Sequence, residues 1–277
     1  MFPSNLMNIA QERDFYRLRD MNDADLALVQ EMLIGPMNRP EMRELASYLL
    51  AVFDQARQIK QAYEELGIDA SEELEALYLE AEEQFHGTIE QGAVPLLDRL
   101  LHAKSFVIED ELEYQRFVHF VMTQYFRTRR MRENLRRGLG ASFARIETSM
   151  GAIRHIMAMA SSLTLVGTRD SMRPQLLINR SEIPLITGDQ PAINTHAVYQ
   201  DDNQAVAEME LYYPISPSRA VLFSESNQFE SREFGAEAAR EFNRMMALSA
   251  EHQIFGAKMS DLEEWKAIVG ASRPKVS

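Results

Sequence analysis

Residues 111–137 read as one long helix with a conflict built into it. At about 100° per residue, Phe117, Phe120, Val121, Met131 and Leu135 share one stripe, and that stripe has to be buried. Gln124 falls in the middle of it, and Arg127 and Thr128 flank it one turn on. A buried amide or guanidinium without a partner costs on the order of several kcal/mol, so acceptors must come from another part of the chain. The acceptor proposed from the sequence is Asp189, in the turn Thr187-Gly188-Asp189-Gln190-Pro191.

Composition narrows the class more than the chemistry. The 277 residues are 45% hydrophobic, enough for one large core or two smaller ones. No run of about 18 apolar residues occurs, so no membrane span is expected. The opening Met1-Phe2-Pro3-Ser4-Asn5 lacks the basic and apolar regions of a signal peptide. With no cysteine, disulfides and thiolate chemistry are excluded, and a cytoplasmic location is expected. The net charge of -13 argues against nucleic-acid binding by the surface as a whole.

The charge is unevenly spread. Ten acidic side chains lie between Glu64 and Glu90, and seven arginines between Arg127 and Arg145. Solvated helix faces that neutralise each other are one reading. A basic patch for phosphate or nucleic acid along Arg127–Arg145, or an acidic face mimicking a polyanion, are the sharper ones. Aromatic residues are not interleaved on the basic face, which counts against nucleic acid.

Punctuation marks the elements. Residues 6–18 carry apolar groups at mixed helical spacing, and Asn22 or Asp23 caps a helix to about Leu33. Pro40 opens a longer helix that stops at Gly67, and Asp69 begins another with Glu72 three residues on. After Pro95 comes a short helix or the continuation of the last one across a kink, and a further helix covers about Ser142–Ser162. From Gln175 the period shortens. Two strands, 176–178 and 183–186, are expected to meet at Arg180-Ser181, with more at 208–215 and 220–223 in a small antiparallel sheet. Residues 198–207 read as a mobile loop, 235–257 as a helix and 261–268 as a last one.

Gln124, Arg127 and Arg130 stand at i, i+3 and i+6, so the first two share one side of the helix. Arg127 would either clamp a carboxylate or phosphate of a ligand, oriented by Gln124, or pair with a buried carboxylate and tie helix to sheet. Asp189 would either cap its own turn, with Gly188 supplying a positive φ and Pro191 keeping Gln190 extended, or serve as a general base. No metal-ligand spacing links the six histidines, and no phosphate-binding glycine loop or nucleophile elbow is present, so neither metal nor cofactor is expected. The methionines read as core filler.

Two segments together resemble the bacterial domain-of-unknown-function family DUF4238. One is Phe117-Val118-His119-Phe120-Val121-Met122-Thr123-Gln124-Tyr125-Phe126-Arg127-Thr128, similar to the family's helix of aromatic, Gln and Arg-Thr. The other is Leu185-Ile186-Thr187-Gly188-Asp189-Gln190-Pro191, similar to its strand and turn. Ile89-Glu90, Tyr213-Pro214-Ile215-Ser216-Pro217 and Asn243 add to the likeness. The resemblance implies a shared fold and a shared site at Gln124, Arg127, Asp189 and Pro191, and no activity. It departs at the start, where the family has a His-rich, Val-Pro motif and this chain has no histidine before His86.

The sequence therefore predicts a mainly helical α+β protein, read as one interlocked domain over 1–277. A helical layer covers about 5–165, and a small sheet with C-terminal helices covers about 170–270. The function expected is a binding or interaction protein whose ligand-binding residues are Gln124, Arg127, Arg130 and Asp189, taking a small anion or a protein partner. The alternative is a hydrolase of phosphodiester-type bonds, with Asp189 catalytic and Arg127 stabilising charge.

Overall fold

A computed structural model describes residues 21–69, 71–199, 208–225 and 231–271; side chains at 56, 71, 75 and 77–83 are not described. The helix expected at 6–18 and the loop at 200–207 lie outside them. The chain is mainly helical with two small sheets, an α+β architecture. Among the described residues no helix is long and apolar enough to cross a membrane.

Two compact units divide the chain. The first joins the described residues up to Gln91 to Arg132–Leu163, and the second joins Gly92–Met131 to the residues from Thr164 on. The segment 92–131, grouped with the helical layer on sequence, thus belongs with the sheet.

The first unit is all helix. Asn22 and Asp25 exchange side-chain to main-chain hydrogen bonds, a capping box that starts α1 (Asp23–Val29). A π turn, Gln30–Ile34, carries the chain on to α2 (Pro40–Glu65). Pro40 opens α2, and its missing N–H costs nothing in a first turn. Gly67, at φ 67°, closes it in a conformation a side chain resists. α3 (Ser71–Leu100) continues through Pro95, the second of the two expected outcomes there. After α5 (Arg129–Leu139) and a 3-10 turn, α6 (Met150–Gly167) brings Ile153 and Ile156 against Leu50 and Phe53 of α2. His155 lies among Phe53, Phe85 and His86, with ring centroids 5.1, 4.5 and 4.7 Å away.

The second unit is a sheet with a helix on each face. Its strands are β1 (Arg173–Asn179), β3 (Ile193–Asn194), β4 (Leu211–Ser216), β5 (Arg219–Ser224) and β6 (Ser231–Phe234), in the order β3-β4-β5-β1-β6. The expected antiparallel sheet is in fact mixed, because β6 lies parallel to β1. Residues 183–186 are extended but do not pair with 176–178. Leu185 N–H donates to Pro217 O, and the strand beside β1 is β5.

Alternation along the strands assigns the faces. Tyr212, Leu222 and Leu177 meet α7 (Ala236–Ser249), with the Tyr212 and Phe242 rings stacked at 4.5 Å. Tyr213 and Phe223 point the other way, to Phe120 and Phe117 of α4 (Glu111–Phe126), at 5.7 and 6.4 Å.

Three expected helices are shorter than the sequence suggested. The helix read over 111–137 is two helices, α4 and α5, broken at Arg127-Thr128. The Thr128 hydroxyl accepts from Met131 N–H (3.3 Å), as a cap does, and a cap starts a helix rather than continuing one. The helix read over 235–257 stops at Ser249. There the chain turns into β7 (Ile254–Phe255), which pairs with β2 (Thr187–Gly188). The last helix reduces to two 3-10 turns, Met259–Asp261 and Lys266–Ile268.

Candidate functional site

Three segments of the second unit converge on the break between α4 and α5: the end of α4 itself, the turn 187–192, and residues 250–253 after α7. Each is held by polar contacts to another.

The turn is fixed first. Asn243 of α7, 1% exposed, accepts from Ile186 N–H (3.0 Å) and donates to Pro184 O (2.9 Å). An apolar residue there would leave a buried N–H and a buried carbonyl stranded. Gly188 then lies so close to the strand opposite that an added Cβ would stand 3.1 Å from Gln253 O and 3.2 Å from the Ala250 Cβ. The expected positive φ is not its role; Gly67, Gly140 and Gly270 have that conformation, and Gly188 serves close approach.

Asp189 comes next, and among the described residues its carboxylate is held by main chain. Oδ1 accepts from Glu251 N–H (2.7 Å), and Oδ2 accepts from His252 N–H (2.7 Å) and Gln253 N–H (3.1 Å). The Asp189 N–H donates to Gln253 O (3.0 Å). Asp189 therefore does more than cap its own turn. It gathers three successive amides just past α7, which is why that helix ends where it does. The Arg127 guanidinium expected to hold Asp189 is replaced in that role by these amides.

Gln190 closes the turn onto α4. Its amide, 4% exposed, donates to Tyr125 O (3.2 Å) and Ala192 O (2.7 Å), and its Oε1 accepts from the Thr128 hydroxyl. The amide is fully satisfied, which buried polar groups require. The same Thr128 breaks the helix, so break and turn are one construction.

Charge is concentrated at the start of α5. Arg130 Nη1 lies 3.9 Å from Glu251 Oε2, and both side chains are largely buried. Arg129 Nη1 lies 2.8 Å from His252 Nε2. A guanidinium can only donate, so Nε2 of His252 is the acceptor in this contact. Burial pushes the Tyr125 hydroxyl above its usual range, and the charge on Arg130 opposes that shift.

Of the residues singled out from sequence, Arg130 and Asp189 both act on residues 251–253. Gln124 is buried in the last turn of α4, and Arg127, half-buried, is the C-cap of that helix, its main-chain N–H donating to Thr123 O. Thr128 was noted only as a flank, and Gln190, Glu251 and His252 carried no role. The available signal was a Gln directly before Pro191 and a Glu-His pair after the apolar face of α7 ends. Three further arginines of the run are taken up nearby. Arg132 pairs with Glu147 (2.6 Å), and Arg136 and Arg137 pair with Glu133. Among the described residues no group of three or more His, Asp or Glu side chains is placed to hold a metal ion.

No curated protein and no solved structure matches the chain. A family model described as "Protein of unknown function (DUF4238)" matches residues 1–260, and with them all three segments that build this site. The chain belongs to the DUF4238 family.

Proposed function

We propose that this chain is a binding or interaction protein whose site at the α4–α5 break accepts an anionic group, a carboxylate or phosphate of a small molecule or of a partner's side chain. The observation that carries the reading is the local charge. In a protein of net charge -13, the break collects Arg127, Arg129 and Arg130 against Asp189 and Glu251. The Asp189 oxygens are already committed to main-chain donors. Arg130 faces Glu251 at 3.9 Å, both side chains largely buried, and Arg129 donates to His252 Nε2 (2.8 Å). A planar anion is the ligand that clustered guanidinium groups suit, beside the positive end of α5.

The hydrolase alternative, with Asp189 as base and Arg127 as charge stabiliser, gains nothing from this geometry, because the Asp189 lone pairs point at residues 251–253. Nucleic acid along Arg127–Arg145 is disfavoured by the local pairing of Arg132, Arg136 and Arg137. A bacterial, cytoplasmic setting belongs to the same reading and rests on the cysteine-free composition.

The test is thermal melting of the full chain with inorganic phosphate or citrate at constant ionic strength. A bound anion at a hundred times its Kd stabilises by about 2.7 kcal/mol. The melting temperature should rise with phosphate in the native chain and not in Arg130→Gln. A melting curve that phosphate, citrate and chloride leave alike would overturn the reading.

A further inference from the structure

α2 carries a second apolar stripe that its own unit does not bury. The inward face is Ala46, Leu50 and Phe53, all in the core of the first unit. Roughly opposite, at about 100° per residue, run Leu45, Tyr48, Val52, Ile59, Ala62 and Leu66. Of these, Leu45 is 45% exposed, Tyr48 68%, Ile59 41% and Leu66 72%, and Ile68 just beyond the helix is 50% exposed. Scattered surface apolar residues need no explanation, but an ordered row does.

The order is a heptad. Leu45, Val52, Ile59 and Leu66 are seven residues apart, and Tyr48, Gln55 and Ala62 stand at the intervening positions, so the row is apolar but for one glutamine at its middle. A 3.5-residue repeat keeps a seam turned toward a second helix wound around the first, which a plain surface face has no reason to keep. The charges beside the seam are of one sign. Glu41 and Glu44 at its start and Glu65 at its end are exposed, and Asp69, Glu72 and Glu73 continue the acidic surface past the turn. Arg43 falls on the far side of the helix, and Arg57 is bound to Asp54 (2.6 Å) and Asp23 (2.9 Å). Lys60 lies at the edge nearer the core and is half-buried. A second copy of this chain would set Glu44 against Glu65 if antiparallel and Glu41 against its own copy if parallel, and like charges along a helical seam specify against either pairing.

We propose that α2 is a docking helix for a basic amphipathic helix of another protein, one with leucine-like residues at heptad spacing flanked by lysine or arginine. Its apolar row covers the Leu45–Leu66 stripe, and its cations answer Glu41, Glu44 and Glu65.

The experiment uses the full chain and a fluorescein-labelled synthetic helix of three heptads, with leucines on the seam and lysines on the flanks. A second peptide carries glutamates in place of the lysines. Fluorescence anisotropy should show saturable binding of the lysine peptide and none of the glutamate peptide. Leu45→Ser with Ile59→Ser keeps every charge and, at exposed positions, the fold, which circular dichroism checks. That variant should weaken binding at least about tenfold, the loss two buried aliphatic side chains imply. Glu44→Gln with Glu65→Gln should weaken it and flatten its salt dependence. Three results would overturn the proposal: no binding of the lysine peptide, binding that the serine pair leaves unchanged, or sedimentation showing a native dimer that the serine pair dissociates.

Discussion

Replacing Asp189 by alanine removes the acceptor for three main-chain N–H groups, at 2.7, 2.7 and 3.1 Å. Hydrogen bonds to a charged acceptor contribute about 1.5–3 kcal/mol each when shielded. The His252 contact is exposed and its freed N–H returns to water, so it counts at the low end. The other two are partly buried and lose more. Together the loss should be about 3–5 kcal/mol, or a melting temperature lower by roughly 10 °C for a protein of this size. Asp189→Asn keeps one acceptor oxygen but turns an amide donor toward an N–H, and should cost about half as much. Trp265 makes the assay specific, because the sole tryptophan is buried in the core of the second unit and its fluorescence reports that unit during urea unfolding. A midpoint shift worth less than about 0.5 kcal/mol would refute the claim that Asp189 organises residues 251–253. A double-mutant cycle with Arg127→Ala should show coupling within about 0.5 kcal/mol; a coupling of several times that would return Asp189 to Arg127.

Three further perturbations probe the same region. Asn243→Ala strands the Ile186 N–H and the Pro184 carbonyl, and should lower the Trp265-monitored stability by about 2–4 kcal/mol; an unchanged urea midpoint would rule the clamp out. Gly188→Ala pushes a methyl against Gln253 O and the Ala250 Cβ, at about 1–3 kcal/mol, and a melting temperature equal to the native one would contradict the close approach. Burial holds the His119 imidazolium below its ordinary range, so the folded chain binds that proton more weakly than the unfolded chain. The stability it contributes is complete above about pH 6.5 and is lost as pH falls toward the depressed folded value. His119→Gln should flatten the stability profile on the acid side, and a profile as steep as the native one would dispose of the assignment.

What the sequence disclosed, and what it hid, follows from the range of the forces involved. Caps and stops are local, so Asn22, Pro40 and Gly67 were legible where they stand. The apolar runs on β4 and β5 were legible because each strand has two covered faces. The break at Thr128 was not, since its cause is Gln190, sixty-two residues away, and no window of sequence joins them. Nor was the parallel edge strand β6, whose partner β1 lies across a long connection. The polar stripe on α4 correctly signalled that something must answer it. Pattern alone could not say that Asp189 would spend its charge on amides, nor that the acidic neighbour of Arg130 would be Glu251 from beyond α7. Gly188 shows the same limit from the other side: the residue was right, and the reason was crowding rather than a turn angle.

The account stands most directly on whether the break between α4 and α5 takes an anion. Nitrogen-edited NMR of arginine side chains resolves the Nε–H signals of Arg127, Arg129 and Arg130, assigned by single glutamine substitutions. Titrated with phosphate at constant ionic strength, the Arg129 and Arg130 signals should move together along one saturating curve, with the signals of Arg136 and Arg180 still. Signals that stay fixed, or that all drift in proportion as bulk ionic effects would make them, contradict a binding site there.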